Sequence, residues 1–217
     1  MKKIKDYSLY LVISEEYGCG RNAIEIAKHA IKGGVDIIQM REKNKTAKEL
    51  VELGKKLSGL CRNNNVTFIV NDDPMLAKEV GADGVHLGQE DIKLFSLEMA
   101  RRLLGRKKII GISTHSEEQF REANEKDFDY VAFGPLFETE TKDYCIGIDG
   151  VDKVLNIAKK PVFFIGGIDL ANIGGCLNKG AKNIALIRGI TQADDVVKKT
   201  KEFKRAIKNG TKDKRQK

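Results

Sequence analysis

Cysteine is scarce in this sequence, and where it occurs it is isolated. The four cysteines, at positions 19, 61, 145 and 176, form no C-x-x-C pair. Zinc sites and disulfide frameworks depend on closely or regularly spaced cysteines, so the sequence favours neither. We expect free and mostly structural thiols.

Long hydrophobic runs are also missing. No apolar stretch reaches the roughly 18 residues of a membrane-spanning helix. The first segment, MKKIKDYSLYLVIS, has a basic start but only a short apolar run, and it lacks the small-residue cleavage site of a secretory signal. We therefore expect a cytoplasmic protein that makes no membrane contact.

Negative charge is the scarcer sign, with 31 acidic against 39 basic residues and a net charge of +8. Much of the excess lies in the last segment, KKTKEFKRAIKNGTKDKRQK, which is typical of a solvated helix with a frayed end. Nucleic-acid binding is the alternative, but no recognition motif or interleaved aromatics accompany the charge. We expect a catalytic domain at residues 1–208, a basic flexible tail at 209–217, and small anionic ligands instead of nucleic acid. Homo-oligomerisation is left open.

What the sequence does contain is a repeated alternation of strand-like and helix-like segments. Eight strand-like runs, from SLYLVIS at 8–14 to KNIALIRG at 182–189, are each followed by a helix-like run, without a Pro/Gly/Ser-rich linker. This alternation predicts an α/β protein with a parallel sheet, and eight units in one domain of this length predict a single (β/α)8 TIM barrel. A doubly wound open sheet is the alternative, but it usually has fewer strands and the dinucleotide fingerprint is absent.

Active sites of such barrels lie at the carboxyl ends of the strands. In the second run, VDIIQMREKNK, Gln39, Arg41 and Lys43 alternate with Met40 and Glu42 and so share one strand face. An arginine and a lysine beside an amide suit an oligophosphate, because they offer a bidentate fork and a point charge. A surface salt bridge to a nearby glutamate would explain one or two of the charges, but not three polar groups on one face.

Carboxylates follow the third and fourth strands, in VNDDP and GQED. Asp72 and Asp91 can converge on one hard cation, and Mg²⁺ is typically held by one or two carboxylates plus phosphate oxygens. We interpret Asp73 as the cap of the helix that begins at Pro74. Asp91 has an equal alternative as the cap of the next helix.

The last three strand ends are rich in hydroxyls, cations and glycines. Thr139, Thr141 and Lys142 lie in the loop after the sixth run, and Gly166 and Gly167 follow the seventh. Loops after strands seven and eight form the usual phosphate site of such barrels, although the glycines could simply form a tight turn. The strand ends thus predict an oligophosphate site with magnesium and a monophosphate site, both at the carboxyl-terminal end of the barrel. Two phosphorylated ligands favour a transferase that joins them and releases pyrophosphate.

Histidines contribute little to this hypothesis. His86 alternates with Val85 and Leu87 and is interpreted as a satisfied core or supporting group. His115 lies near the rim, where it could orient a substrate.

At this point the sequence closely resembles the thiamine-phosphate synthase family over nearly its whole length. The resemblance is carried by QMREK, FIVNDD, GADGVHLGQED, GIS, FGPLFETETK, IGGI and LIRGI, in this order and spacing. It implies a barrel that joins 4-amino-2-methyl-5-(diphosphooxymethyl)pyrimidine to a thiazole phosphate, carboxylated or not, with Mg²⁺ required. The products would be thiamine phosphate and pyrophosphate, formed by a dissociative mechanism that needs no protein nucleophile.

The resemblance also implies roles for individual residues. The pyrimidine diphosphate contacts fall on Gln39, Met40, Arg41, Glu42, Lys43, Asn71, Ser113 and Lys142. Of these, the residues implied to be catalytic are Arg41, Lys43, Ser113 and Lys142. The thiazole phosphate contacts fall on Thr139, Glu140, Thr141, Gly167, Ile187 and Arg188, and the magnesium ligands on Asp72 and Asp91.

Two positions depart from the commonest family pattern. Glu138 stands where proline often precedes T-x-T, and Arg188 stands where serine is frequent. The nearest rival is the thiazole tautomerase of the sister branch, which carries a catalytic histidine where this sequence has Pro135 and generally lacks the paired aspartates. A non-catalytic phosphate- or nucleic-acid-binding barrel is the rival from a different class, and it predicts no pyrophosphate release.

Overall fold

The protein, described by a computed structural model over residues 4–139 and 144–210, is built on a closed barrel of eight parallel strands. Neighbouring strands pair in chain order, and the eighth pairs with the first. The strands are β1 Leu9–Ile13, β2 Ile37–Met40, β3 Thr67–Asn71, β4 Gly84–Leu87, β5 Ile109–Thr114, β6 Tyr130–Phe133, β7 Val162–Phe164 and β8 Asn183–Leu186. The predicted single (β/α)8 TIM barrel is confirmed.

Helices follow each strand, as the alternation predicted. They are α1 Ala23–Gly33, α2 Ala47–Asn63, α3 Pro74–Glu79, α4 Asp91–Leu94, α5 Leu97–Leu104, α6 Glu117–Glu125, α7 Gly150–Leu155, α8 Ile173–Asn178, α9 Arg188–Thr191 and α10 Val196–Asn209. A short 3-10 helix, Glu15–Tyr17, connects β1 to α1.

The strands are buried on both faces, which explains their nearly continuous apolar sequences. Side chains that point outward pack against the helices in one large core that includes Ile38, Met40 and Val70. Side chains that point inward form a second, smaller core inside the barrel. It contains Tyr10, Val12, Ile37, Ile69, Ile109, Tyr130, Ala132, Phe163 and Ala185. The inner core therefore closes the barrel beneath its carboxyl-end mouth.

Helix starts follow the local sequence signals. Asp73 caps α3, because its carboxylate accepts hydrogen bonds from the backbone N–H groups of Met75 at 2.8 Å and Leu76 at 3.0 Å. Pro74 occupies the first turn of that helix. The interpretation of Asp73 as a cap is thus confirmed. Asp91, by contrast, begins the one-turn helix α4, and its carboxylate accepts a hydrogen bond from Gly88 N at 2.7 Å.

Two elements differ from the sequence expectation. The single helix expected after the fourth strand is divided into α4 and α5, because Ser96 caps a new helix by accepting a hydrogen bond from Met99 N at 3.2 Å. The eighth strand ends at Leu186, earlier than expected, and Arg188 begins the short helix α9. Ile187 therefore lies at the turn between the barrel wall and the mouth.

The carboxyl end of the chain is only partly described. Helix α10 continues to Asn209, so it includes the first residue of the expected tail, and residues 211–217 lie outside the described part of the structure. Across the described ranges, we find no helix with the length and apolarity to cross a membrane.

Candidate active site

A cavity of about 240 Å³ opens at the carboxyl end of the barrel strands. Its wall is formed by residues near the carboxyl ends of the strands or in the loops that follow them. They include Gln39, Arg41, Asn71, His86, Ser113, His115, Pro135, Thr139, Gly166, Gly167, Ile187 and Arg188. Most of the predicted site residues that the structure describes thus meet in one cavity, although they are spread over some 150 positions of the sequence.

The residues of QMREK separate as the strand alternation predicted only as far as Arg41, because β2 ends at Met40. Gln39 is buried and Arg41 is half-buried, and both line the cavity. Met40 is buried in the core between barrel and helices. Glu42 accepts a hydrogen bond from the backbone N–H of Glu15 at 2.8 Å, so its carboxylate is engaged outside the cavity. Burial raises the pKa of Glu42 above its ordinary value.

Lys43 is exposed and lies beyond the end of β2, outside the cavity wall. Its positive charge, like that of Arg41, nevertheless acts on Asp72 and favours the ionised form of that carboxyl. Both cations therefore lie near Asp72 at the rim of the cavity, with Arg41 turned inward and Lys43 turned toward solvent.

Asp72 and Asp91 lie side by side at the ends of β3 and β4. Burial and a hydrogen bond that the protonated Asp72 donates to the Asp91 carboxylate raise the pKa of Asp72 to about 7, against the opposing charges of Arg41 and Lys43. A hydrogen bond between two carboxyl groups needs a proton on one of them, so this pair carries more negative charge than its surroundings stabilise. That excess is what a bound cation would neutralise.

Backbone geometry brings Asp72 to this position. Its φ of +65° is in the left-handed region, and the N–H of Asp73 donates to the carbonyl of Asn71 at 2.8 Å across it. The N–H of Asp72 itself donates to the carbonyl of His86 at 2.8 Å. Such a conformation is unfavourable for a residue with a side chain and tends to occur at functional sites. The tight turn leads the chain from β3 into α3 and holds Asp72 against β4, whose following loop carries Asp91.

The donor set suits magnesium better than a transition metal. Among the residues of 4–139 and 144–210, no group of three or more His, Cys, Asp or Glu side chains is placed to hold a metal ion. Two adjacent carboxylates without nitrogen or sulfur ligands fit Mg²⁺, which commonly takes one or two carboxylates and completes its shell with water and substrate phosphate.

The opposite side of the cavity is formed by a glycine turn and an arginine. Gly166 and Gly167 follow β7 with φ angles of +95° and +63°. A Cβ on Gly166 would lie 2.3 Å from Pro135 Cβ, and one on Gly167 would lie 2.4 Å from the carbonyl oxygen of Glu138. Only glycine therefore fits at either position, and the turn leaves its backbone accessible to a ligand.

Arg188 crosses from the end of β8 to the loop after β6. Its Nη2 donates a hydrogen bond to Thr139 Oγ1 at 3.0 Å, and its guanidinium lies 5.7 Å from the centre of the Tyr17 ring. These contacts aim the guanidinium at the cavity beside the glycine turn. The remaining predicted residues of this loop, Glu140, Thr141 and Lys142, lie outside the described residues.

Beneath the cavity lies a chain of hydrogen-bonded side chains that no sequence motif predicted. Tyr10 and Tyr130 meet inside the barrel with their hydroxyls 2.9 Å apart. Tyr10 also donates to Gln39 Oε1 at 2.9 Å, and Tyr130 contacts His86 Nδ1 at 2.8 Å. His86 Nε2 lies 2.8 Å from Ser113 Oγ. Burial lowers the pKa of His86 to about 4, so the imidazole is neutral at physiological pH, in agreement with its interpretation as a supporting group.

Replacing Gly166 with alanine tests the glycine turn. We expect the variant to lose roughly 1–3 kcal/mol of stability, because the new Cβ combines a left-handed backbone with the close approach to Pro135. Thermal unfolding measures the loss. Gly174→Ala is the matched control, since a Cβ there has no neighbour within 4 Å. Equal melting temperatures for the two variants would contradict the constraint at Gly166.

The chain is similar in sequence to proteins of one known family. A family model described as Thiamine monophosphate synthase matches residues 9–190. The chain is 41% identical to the thiamine-phosphate synthase of Dictyoglomus thermophilum over 212 residues, which cover 95% of this chain and 94% of that protein. It is 38% identical to the thiamine-phosphate synthase of Persephonella marina over 208 residues, with coverage of 95% and 98%.

A solved structure gives the same result at the level of the fold. The thiamine phosphate pyrophosphorylase of Pyrococcus furiosus superimposes with a TM-score of 0.85 and 35% identity, covering 94% of this chain and 97% of that one. The family match includes all eight strands and the residues at their carboxyl ends. The chain therefore belongs to the thiamine-phosphate synthase family of transferases, enzymes of thiamine biosynthesis.

Proposed function

We propose that the enzyme condenses 4-amino-2-methyl-5-(diphosphooxymethyl)pyrimidine with a thiazole phosphate, carboxylated or not, to form thiamine phosphate and pyrophosphate. The observation that carries this proposal is that one cavity is lined by cationic and polar groups from two different sets of strands. Arg41, Asn71 and Ser113 line one end, and the glycine turn with Arg188 lines the other. A cavity of this kind can hold two phosphorylated ligands with their reacting atoms between them.

The pyrimidine diphosphate is assigned to the end near β2 to β5. Arg41 can bind diphosphate oxygens with two parallel N–H donors, and Lys43 adds a charge at the rim. Gln39 and Asn71 supply amide groups that can recognise an aminopyrimidine ring, and Ser113 supplies a hydroxyl. Lys142 completes the proposed set.

Asp72 and Asp91 are the proposed magnesium ligands. When bound there, Mg²⁺ would neutralise charge on the diphosphate and so favour its departure as pyrophosphate. The raised pKa of Asp72 beside Asp91 supports this assignment, because a bound cation would stabilise both carboxylates in their ionised form.

The thiazole phosphate is assigned to the opposite end. Backbone N–H groups of the turn at Gly167 and near Ile187 can donate to phosphate oxygens, and the Arg188 guanidinium adds a charge-assisted contact. The hydrogen bond between Arg188 and Thr139 supports a joint role for the two residues. Glu140 and Thr141 are included in the proposal from the sequence.

We propose a dissociative reaction. The bond between the pyrimidine methylene carbon and the diphosphate oxygen breaks first, with the electron pair leaving on pyrophosphate. The aminopyrimidine ring stabilises the resulting cation, and the thiazole nitrogen then attacks the methylene carbon. The protein contributes cations that stabilise the leaving group and surfaces that orient the two rings.

Mixing both substrates with Mg²⁺ and measuring pyrophosphate release tests the proposal. We expect release only when both substrates are present, together with an equal amount of thiamine phosphate. Thiazole tautomerase activity or simple phosphate binding would release no pyrophosphate. Pro135, at the cavity wall where the sister branch carries its catalytic histidine, supports the synthase reaction.

Removal of residues 211–217 is expected to leave turnover unchanged. The removed segment, TKDKRQK, contains no apolar residue that could contribute to a core. Steady-state rates of the full-length and shortened proteins, compared at equal melting temperature, provide the measurement. A large loss of turnover in the shortened protein would instead assign the tail a role in catalysis.

A further inference from the structure

A continuous hydrogen-bonded chain crosses the barrel beneath the cavity and joins two parts of the pyrimidine end. It runs between groups from six different strands, most of them buried. Its members in order are Asn71, Gln39, Tyr10, Tyr130, His86 and Ser113. Its two middle members, Tyr10 and Tyr130, are not part of the cavity wall.

The direction of the first half of the chain follows from counting protons. A tyrosine hydroxyl has one hydrogen to donate. Tyr10 donates its hydrogen to Gln39 Oε1, so it must accept from Tyr130. Tyr130 has then used its own hydrogen. Beyond this point, Gln39 Nε2 donates to Asn71 Oδ1.

The second half is fixed in the same way. Because the hydrogen of Tyr130 is used on Tyr10, the Tyr130 oxygen must accept from His86 Nδ1–H, at 2.8 Å. A neutral imidazole has one N–H, so Nε2 is an acceptor. Ser113 must therefore donate its hydroxyl hydrogen to His86 Nε2, also at 2.8 Å. Every hydrogen bond in the chain points from Ser113 toward Asn71.

This direction does not suit the ligand of the proposed function. With its hydrogen on His86, Ser113 offers only lone pairs to the cavity, and a diphosphate oxygen needs a donor. At the other end, Gln39 turns Oε1 toward Tyr10 and away from the cavity, so that a ligand's amino group lacks an acceptor there. If every hydrogen bond in this series were reversed, Ser113 could donate to a diphosphate oxygen and Gln39 Oε1 could accept from the ligand's amino group.

We propose that Tyr10 and Tyr130 form a reversible relay, in which an anion that accepts a hydrogen bond from Ser113 reverses the whole chain and turns Gln39 Oε1 toward the ligand's amino group. The inference rests on the proposed function, because it assigns the diphosphate to Ser113 and the aminopyrimidine to Gln39. Tyr10 and Tyr130 act as positioning residues that couple recognition of the two parts of one substrate.

The reversal conserves protons and satisfies every member of the chain. His86 loses the proton on Nδ1 and gains one on Nε2, which then donates to Ser113 while Ser113 donates to the anion. Tyr130 donates to Nδ1, and Tyr10 donates to Tyr130. Half-turns of both amides complete the reversal: Gln39 Nε2–H donates to Tyr10, and Asn71 Nδ2–H donates to Gln39 Oε1, which keeps a second lone pair for the ligand's amino group.

The tautomer of His86 reports the direction of the relay. Protein labelled with ¹⁵N-histidine distinguishes a protonated from an unprotonated ring nitrogen, and His29→Gln and His115→Gln variants assign the signals. In the free protein we expect the proton on Nδ1 of His86. After addition of Mg²⁺ and inorganic pyrophosphate, we expect it on Nε2. An unchanged tautomer with pyrophosphate bound, as measured by calorimetry, would overturn the relay.

Coupling between the two parts of the substrate is the second readout. We expect Mg²⁺-pyrophosphate to tighten binding of the phosphate-free fragment 4-amino-2,5-dimethylpyrimidine by roughly tenfold, within the usual range of coupling between sites. Tyr130→Phe and Tyr10→Phe each remove one relay hydroxyl and keep the ring, so the tightening should disappear in both. Tyr7→Phe, which removes a hydroxyl outside the barrel interior, is the matched control and should retain it.

The outcomes separate the relay from the proposed function. If turnover occurs and both probes bind, but the fragment binds equally with and without pyrophosphate, only the relay is wrong. If pyrophosphate and the fragment do not bind and no thiamine phosphate forms, both proposals fail. Should one tyrosine variant not fold, the other gives the same comparison.

Discussion

Replacing Arg41 with alanine is expected to lower kcat/KM for the pyrimidine diphosphate by at least about tenfold to a hundredfold. A hydrogen bond to a charged group contributes roughly 1.5–3 kcal/mol, and each 1.4 kcal/mol corresponds to about a factor of ten. Arg41 lines the cavity at the end of β2 and is only half-buried, so its removal should disturb binding more than folding. Initial rates with each substrate varied in turn measure the effect.

Two further variants sharpen the experiment on Arg41. Arg41→Lys keeps the charge but loses the bidentate fork, so it should recover only part of the activity. Lys48→Ala removes an exposed cation from α2 and should leave the rate unchanged. If Arg41→Ala retains nearly full activity at an unchanged melting temperature, the oligophosphate site at the end of β2 is wrong.

Replacing Asp91 with asparagine is expected to raise the Mg²⁺ concentration for half-maximal activity by about tenfold or more. Loss of groups that support a metal site commonly weakens metal binding by about 10- to 100-fold, and a direct ligand should have no smaller effect. Asparagine keeps the size of the side chain and an oxygen that can accept from Gly88 N. The change therefore removes charge while preserving the local turn.

Magnesium binding should also be measured without turnover. Because two carboxylates hold Mg²⁺ weakly on their own, we expect calorimetry to show weak binding to the free protein and tighter binding with pyrophosphate present. Asp91→Asn should weaken binding in the presence of pyrophosphate and raise the KM of the pyrimidine diphosphate, with less effect on the thiazole phosphate.

Asp73→Asn provides the matched control for the aspartate at position 91. Asparagine is as good a helix cap as aspartate, and Asp73 is engaged at the start of α3. Its substitution should leave the Mg²⁺ dependence unaltered although it adjoins Asp72. If the Asp91→Asn enzyme keeps the wild-type Mg²⁺ dependence, Asp91 is not a magnesium ligand and has only a structural role through its hydrogen bond with Gly88.

The sequence by itself determined the features that repeat or act locally. The strand–helix alternation predicts the barrel because each unit carries its own hydrophobic period and turn signals. The cap at Asp73 follows from its place before Pro74, and the shared face of Gln39 and Arg41 follows from the two-residue period of a strand. The same period places Met40 on the opposite face, away from the cavity, whereas the resemblance implied a pyrimidine contact for it. The family motifs extended this information to the reaction.

Only the tertiary structure decided which strand ends touch. Strand periodicity gives the face on which a side chain lies, but not its neighbour across a closed barrel, because that neighbour depends on the register of all eight strands. Tyr10 and Tyr130 are 120 positions apart, and each resembles an ordinary core aromatic in its sequence context. Closure of the barrel places their hydroxyls in contact, and the turn at Asp72 places its carboxyl against Asp91. The polar chain beneath the cavity and the raised pKa of Asp72 arise from that closure.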